Sequence, residues 1–109
     1  MQKDNAYFLD ILQSAKIAVT YLSEKSFEEF EKDIQCQDAV IRRLEMIGEA
    51  SSRISGETQK TYRDLPWVKM KAIRNFLIHE YDDIDLKILW DTVKNNIPPL
   101  VIELQKIIL

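Results

Sequence analysis

The chain has 109 residues, with 15 basic and 18 acidic side chains for a net charge of −3, and it is 46% hydrophobic and 30% charged. That length suits one core and not two, and the composition fits neither a disordered tail nor a membrane protein. No apolar run approaches the roughly 20 residues that span a bilayer. The N-terminal MQKDNAYFLD is acidic where a secretion signal would be basic and then apolar. The lone Cys36 cannot form an internal disulfide, and a single His with a single Cys cannot build a nitrogen–sulfur zinc site within one chain. A cytoplasmic single domain over residues 1–109 is the expectation.

Two glycines and three prolines leave few tight turns, so hairpins and sandwiches are disfavoured, while Leu, Ile, Glu, Lys and Gln favour helices. The fold class expected is all-α, an antiparallel bundle of four to five helices. The first helix is predicted from about Asp4 to Ser23, on the stripe Tyr7, Phe8, Ile11, Leu12, Ala15, Ala18, Tyr21 and Leu22. Ser26 and Glu29 have capping-box spacing, so a short helix carrying Phe27 and Phe30 begins there. A third runs from near Asp33 to about Ser55 on Val40, Ile41, Leu44, Ile47, Ala50 and Ile54, with Gly56 as its stop.

Residues 57–65 are polar and read as a connection. Pro66 suits the first turn of a fourth helix that carries Trp67, Met70, Ile73 and Leu77 on one face. Tyr81-Asp82-Asp83 interrupts the pattern, and Asp83 or Asp85 then caps a fifth helix through Val93. Pro98 and Pro99 must kink or break that helix. A last helical stretch over 98–108 is apolar on several sides, which predicts burial or self-association. Charge is unevenly spread: residues 41–74 hold eight bases and four acids, and the remainder holds seven bases and fourteen acids. A basic middle of this kind can attract a polyanion locally; ordinary solvated helix faces are the plainer reading.

One segment is chemically loaded, residues 73–82, which read IRNFLIHEYD. It carries the chain's single histidine, His79, with Arg74 five residues before it and Tyr81 two after. On a helix Asn75 and His79 share a face, whereas Arg74 and His79 lie about 140° apart. One unbroken helix therefore cannot aim Arg74, His79 and Tyr81 at one point; either the helix ends near His79 or a second chain completes the cluster. The plain alternative makes His79 a helix-end histidine, pairs Arg74 with an acid such as Asp82 and keeps Tyr81 in the core.

The spacing Arg74-x4-His79-x-Tyr81, with polar Asn75 after the arginine, resembles the R-x4-6-H-x-Y signature of HEPN domains, in particular the HepT-like toxins of prokaryotic toxin–antitoxin pairs. The run Leu44-Glu45-Met46-Ile47-Gly48-Glu49-Ala50 is similar to that family's I-G-E-A helix, and the segments around Trp67 and Ile84–Trp90 are similar too. The resemblance implies a homodimeric ribonuclease that needs no metal or other cofactor, with two motifs facing each other across the interface. It implies catalytic roles for Arg74, Asn75 and His79. It also implies that Tyr81 is the acceptor of AMP from a partner, a small nucleotidyltransferase antitoxin. RNA would be the substrate, and no membrane partner is expected.

A dimer also supplies what one chain lacks. Attack by an RNA 2′-hydroxyl needs one group to take a proton and another to give one, and each chain has one histidine. An inactive HEPN homologue serving as the binding subunit of a nucleotidyltransferase, and a helical interaction protein without chemistry, are the competing readings. Among weaker candidates, Asp82, Asp83 and Asp85 could bind a cation but read better as a helix cap. Glu49 could line the cleft, or be a polar residue where helices approach closely at Gly48. Cys36, Trp67 and Trp90 read as packing residues.

Overall fold

A computed structural model describes residues 2–79 and 84–108, except for the side chains of Gln2, Ile78 and His79. All secondary structure among these residues is helical. Helix α1 spans Gln2–Leu22, α2 Phe27–Lys32, α3 Ile34–Arg53, α4 Gly56–Thr61 and α5 Trp67–His79. Helix α6 covers Leu86–Asp91 and continues through a π-helical turn, Thr92–Asn96, into α7, Ile97–Ile108.

The predicted stripes make the core. Phe8, Ile11, Ala15, Ala18 and Leu22 of α1 are buried against Val40, Leu44, Ile47 and Ala50 of α3 and Ile97, Leu100 and Leu104 of α7. Burial of such side chains contributes roughly 1.5–3 kcal/mol each, which is how four-residue periodicity becomes a bundle. Helices α1 and α3 run antiparallel, since Asp4 at the start of α1 bonds Ser55 beyond the end of α3. At the other end Cys36 Sγ, near the start of α3, lies 4.0 Å from the Tyr21 carbonyl oxygen. Helix α5 packs on α3. No helix among the described residues is long and apolar enough to cross a membrane.

Several local expectations hold for their stated reasons. Ser26 and Glu29 form a reciprocal capping box, with Glu29 N donating to Ser26 Oγ and Ser26 N donating to Glu29 Oε1. Asp33 caps α3 by accepting from Cys36 N, and Asp85 caps α6 by accepting from Lys87 N and Ile88 N. Helix α1 has no base in its last turn, and Lys94 supplies one from a distance by donating to the Leu22 carbonyl at 2.7 Å.

Three expectations need correction. Residues 57–65 are not simply a connection, and Gly56 is not a left-handed helix stop: it opens α4. Helix α3 ends when Ile54 turns extended and buries its side chain, and Ser55 immediately caps the next helix by accepting from Thr58 N. The short polar run hid this cap. Of the kink or break expected at Pro98 and Pro99, the break does not occur. The residues ahead of them widen to π geometry, with Ile97 N–H bonding Thr92 O, so the helix absorbs two missing donors without ending. Of the burial or self-association expected for the last stretch, burial is incomplete, because Ile102 is 55% exposed.

Candidate active site on the α3–α5 pair

Helix α5 carries the candidate residues. It starts just after Pro66, whose carbonyl accepts from Met70 N at 3.0 Å, so the proline stands at the cap and not within the first turn. Its start is fixed by Trp67, whose Nε1 donates to the Tyr62 carbonyl at 2.9 Å and whose ring lies 6.1 Å from that of Phe8. Met70 and Leu77, buried to 1% exposure, turn one face into the core. Arg74 sits about 40° around the helix from Met70 and Asn75 about 140° from it, which moves the surface from interior to solvent along that side.

Arg74 is half-buried and Asn75 exposed. Arg74 lies against Gly48 of α3 so closely that a β-carbon built on the glycine would stand 2.6 Å from Arg74 Cβ. Its Nε is buried and has no hydrogen-bond partner among the described residues, and no described carboxylate pairs with its guanidinium. Nε is the only atom of that group so sealed. An uncompensated buried donor costs about 1–3 kcal/mol, so the position stores a demand for an acceptor.

The two packed helices both carry exposed bases. Arg42 and Arg53 on α3 and Lys69 and Lys71 on α5 are exposed on adjoining helices, and only Arg42 among these has a described acidic partner, Glu45 at 3.7 Å. Glu49 is exposed beside Gly48. His79 is the last described residue of α5, four positions beyond Asn75, and its side chain lies outside what is described. Tyr81, Asp82 and Asp83 lie outside the described residues as well, so the Arg74–Asp82 pairing and the three-aspartate cation site fall there; Asp85 is engaged as a cap. The structure thus places Arg74 against α3 at Gly48 and leaves Asn75, about 100° further round α5, in solvent.

A sizeable cavity lies elsewhere. A space of about 570 Å3 between α5 and the α6–α7 run is lined mainly by apolar side chains such as Met70, Ile73, Phe76, Leu77 and Ile88, and by neither Arg74 nor Asn75. The packing readings stand for the other candidates. Trp90 is ringed by Phe27 and Phe30 with centroids at 5.8 and 5.6 Å. Cys36 is buried, and that burial pushes its thiol pKa up, away from reactivity. The contact the sequence did not reveal is Gly48 with Arg74: a glycine on α3 signals close approach, but only the fold says to which residue.

Comparison with known proteins converges on one family. The family described as Ribonuclease HepT-like matches residues 11–107. A Methanocaldococcus jannaschii protein provisionally named as an RNase is 39% identical over 103 residues, covering 94% of this chain and 85% of its own. A Thermococcus cleftensis protein provisionally named ribonuclease HepT is 39% identical over 101 residues, covering 93% and 92%. A second M. jannaschii protein, named as a gamma-glutamylcyclotransferase and provisional RNase, is 38% identical over 98% of this chain but only 49% of itself. No solved structure gives a significant match.

Proposed function

Since the chain belongs to the ribonuclease HepT-like family, we propose that it is the toxin of a toxin–antitoxin pair, an endoribonuclease that acts as a homodimer with Arg74, Asn75 and His79 of both subunits lining a shared cleft. The observation that carries the reading is the buried Nε of Arg74, without a partner among the described residues, on the helix that also carries His79. Such a donor is suited to an anionic oxygen, and a guanidinium offers a planar fork that fits a phosphate.

The reaction is attack of a ribose 2′-hydroxyl on the adjacent phosphorus. One His79 takes the hydroxyl proton as the new O2′–P bond forms. The P–O5′ bond breaks, and the other subunit's imidazolium gives its proton to the departing oxygen, leaving a 2′,3′-cyclic phosphate and a free 5′-hydroxyl. Arg74 stabilises the charge that grows on the phosphoryl oxygens, and Asn75 holds the imidazole or a ribose hydroxyl in place. No metal ion or other cofactor enters this sequence. Neutralisation is the second part of the proposal. AMP transferred to Tyr81 by a nucleotidyltransferase antitoxin would add negative charge and bulk where the RNA phosphate must lie.

His79→Ala tests the reading. It is expected to lower cleavage of a single-stranded RNA by about 10²–10⁴-fold, with the helical circular-dichroism signal retained. An RNA bearing 2′-O-methyl groups is expected to survive the wild-type chain. Full cleavage by His79→Ala, or cutting of the 2′-O-methyl RNA, would overturn the mechanism.

A further inference from the structure

We infer that Gly48 is a positioning residue for Arg74. Its missing side chain lets α5 close onto α3 at one point, and that contact holds the arginine's Nε–H buried and unspent until an RNA phosphate arrives. The inference rests on the ribonuclease reading above and deepens it.

A β-carbon at Gly48 would lie 2.6 Å from Arg74 Cβ, 3.2 Å from its Cα and 3.3 Å from its backbone nitrogen. Carbon atoms in comfortable contact stand about 3.5–4.0 Å apart, so a methyl group there is too close by about 1 Å. The atoms it meets belong to the root and backbone of Arg74 and not to the tip of a flexible chain. No rotamer change can relieve the contact, so α5 itself must move. Gly56, the other glycine, meets nothing within 4 Å, so the tight fit is particular to the arginine's own position.

What the contact fixes is a functional side chain. Arg74 is half-buried, with Nε sealed from solvent and lacking a partner. A free arginine side chain would swing that group into water, where it finds acceptors at no cost. Keeping it dry takes a stem fixed at its root, and the close approach of Gly48 to Arg74 Cβ supplies that fixing. Once the site opens to a phosphate, a donor held this way needs little further reorganisation when charge develops at phosphorus. A displacement of about 1 Å at such a site can reduce the rate by about 10²-fold.

The test is a cycle of Gly48→Ala and Arg74→Ala, alone and together, on RNA cleavage. Gly48→Ala is expected to lower kcat by about 10²-fold with a smaller change in KM, and to cost nothing further once Arg74 is already alanine. A purely structural glycine would reduce the rate by the same factor in both backgrounds, and that additivity would overturn the inference. Gly56→Ala serves as the control expected to leave kcat unchanged.

If Gly48→Ala does not fold, nitrogen-15 NMR of the wild-type chain decides. The Arg74 Nε–H resonance, assigned by its loss in Arg74→Lys, is expected to exchange with solvent more slowly than that of exposed Arg42. Equal exchange rates would overturn the positioning role. A wild-type chain that cuts no RNA removes the reaction, and the positioning role in it, whatever the NMR shows. Cleavage with additive losses removes the positioning role alone.

Discussion

Two polar side chains sit where helices of this bundle meet, and the surrounding structure satisfies one and leaves the other unsatisfied. At the junction of α1 with the start of α4, Asp4 accepts from Ser55 N at 3.2 Å, from Ser55 Oγ at 2.9 Å and from Thr58 Oγ1 at 2.6 Å. At the junction of α3 and α5, Arg74 holds its Nε buried with no acceptor among the described residues. The first arrangement is what a polar group needs to be kept inside a fold: its lone pairs are filled, and it ties together segments more than fifty residues apart. The second would be a defect if stability were its only purpose. The difference teaches how to separate scaffold from site in a small helical domain: burial alone does not distinguish them, but unmet hydrogen-bonding demand does.

The sharpest way to break that comparison is Arg74→Met, which keeps most of the apolar stem and removes the unmet donor. RNA cleavage is expected to fall by about 10²–10³-fold. Stability is expected to hold or to rise by up to about 1–3 kcal/mol, the cost of the buried unpaired group. Urea denaturation measures the second effect. A clear loss of stability would mean that Arg74 is a structural group after all.

Thr58→Val should do the opposite at the other junction. It strips the shortest hydrogen bond from Asp4 while nearly conserving volume, and Tm is expected to drop by roughly 5 °C or more with cleavage unaffected. Its pH dependence sharpens the contrast. Hydrogen bonds, that from Thr58 first, hold the Asp4 carboxyl below its ordinary pKa of 3.8 despite the opposing effect of burial. A depressed carboxylate contributes stability that is present above its unfolded pKa and lost as pH falls through the folded value. The Tm gap between wild type and Thr58→Val is therefore expected to be widest near neutral pH and to narrow as pH falls below about 4. A gap that is constant with pH would show that Thr58 acts by packing alone.

The same two junctions mark what could be read from the sequence. The long elements were legible because their apolar residues recur at three and four: the stripes of α1 and α3 fall inside as their spacing requires. The capping box at Ser26 was legible because both of its partners lie within four residues. Helix α4 was not, since the groups that settle Ser55 and Thr58 include Asp4, far away in sequence. The π turn ahead of Pro98 escaped because the prolines announce a missing donor without saying whether the helix ends or rewinds. At the site, the residue types of Arg74, Asn75 and His79 and their spacing were readable. The neighbour of Arg74 on α3 was not, because pairing between helices is a property of the fold.

The smallest effect expected is at Gly56, and it tests whether the tightness at Gly48 is local. Gly56 is the first residue of α4, with ordinary negative φ and open space where a β-carbon would go. Alanine there should lose no contact, while the unfolded chain loses conformational freedom. Gly56→Ala is thus expected to stabilise by about 0.4–1 kcal/mol, measured by urea denaturation, with cleavage unchanged. Destabilisation would mean that the start of α4 is as constrained as the α3–α5 contact. Glycine would then mark tight backbone throughout this fold, and Gly48 would no longer be set apart by the arginine it faces.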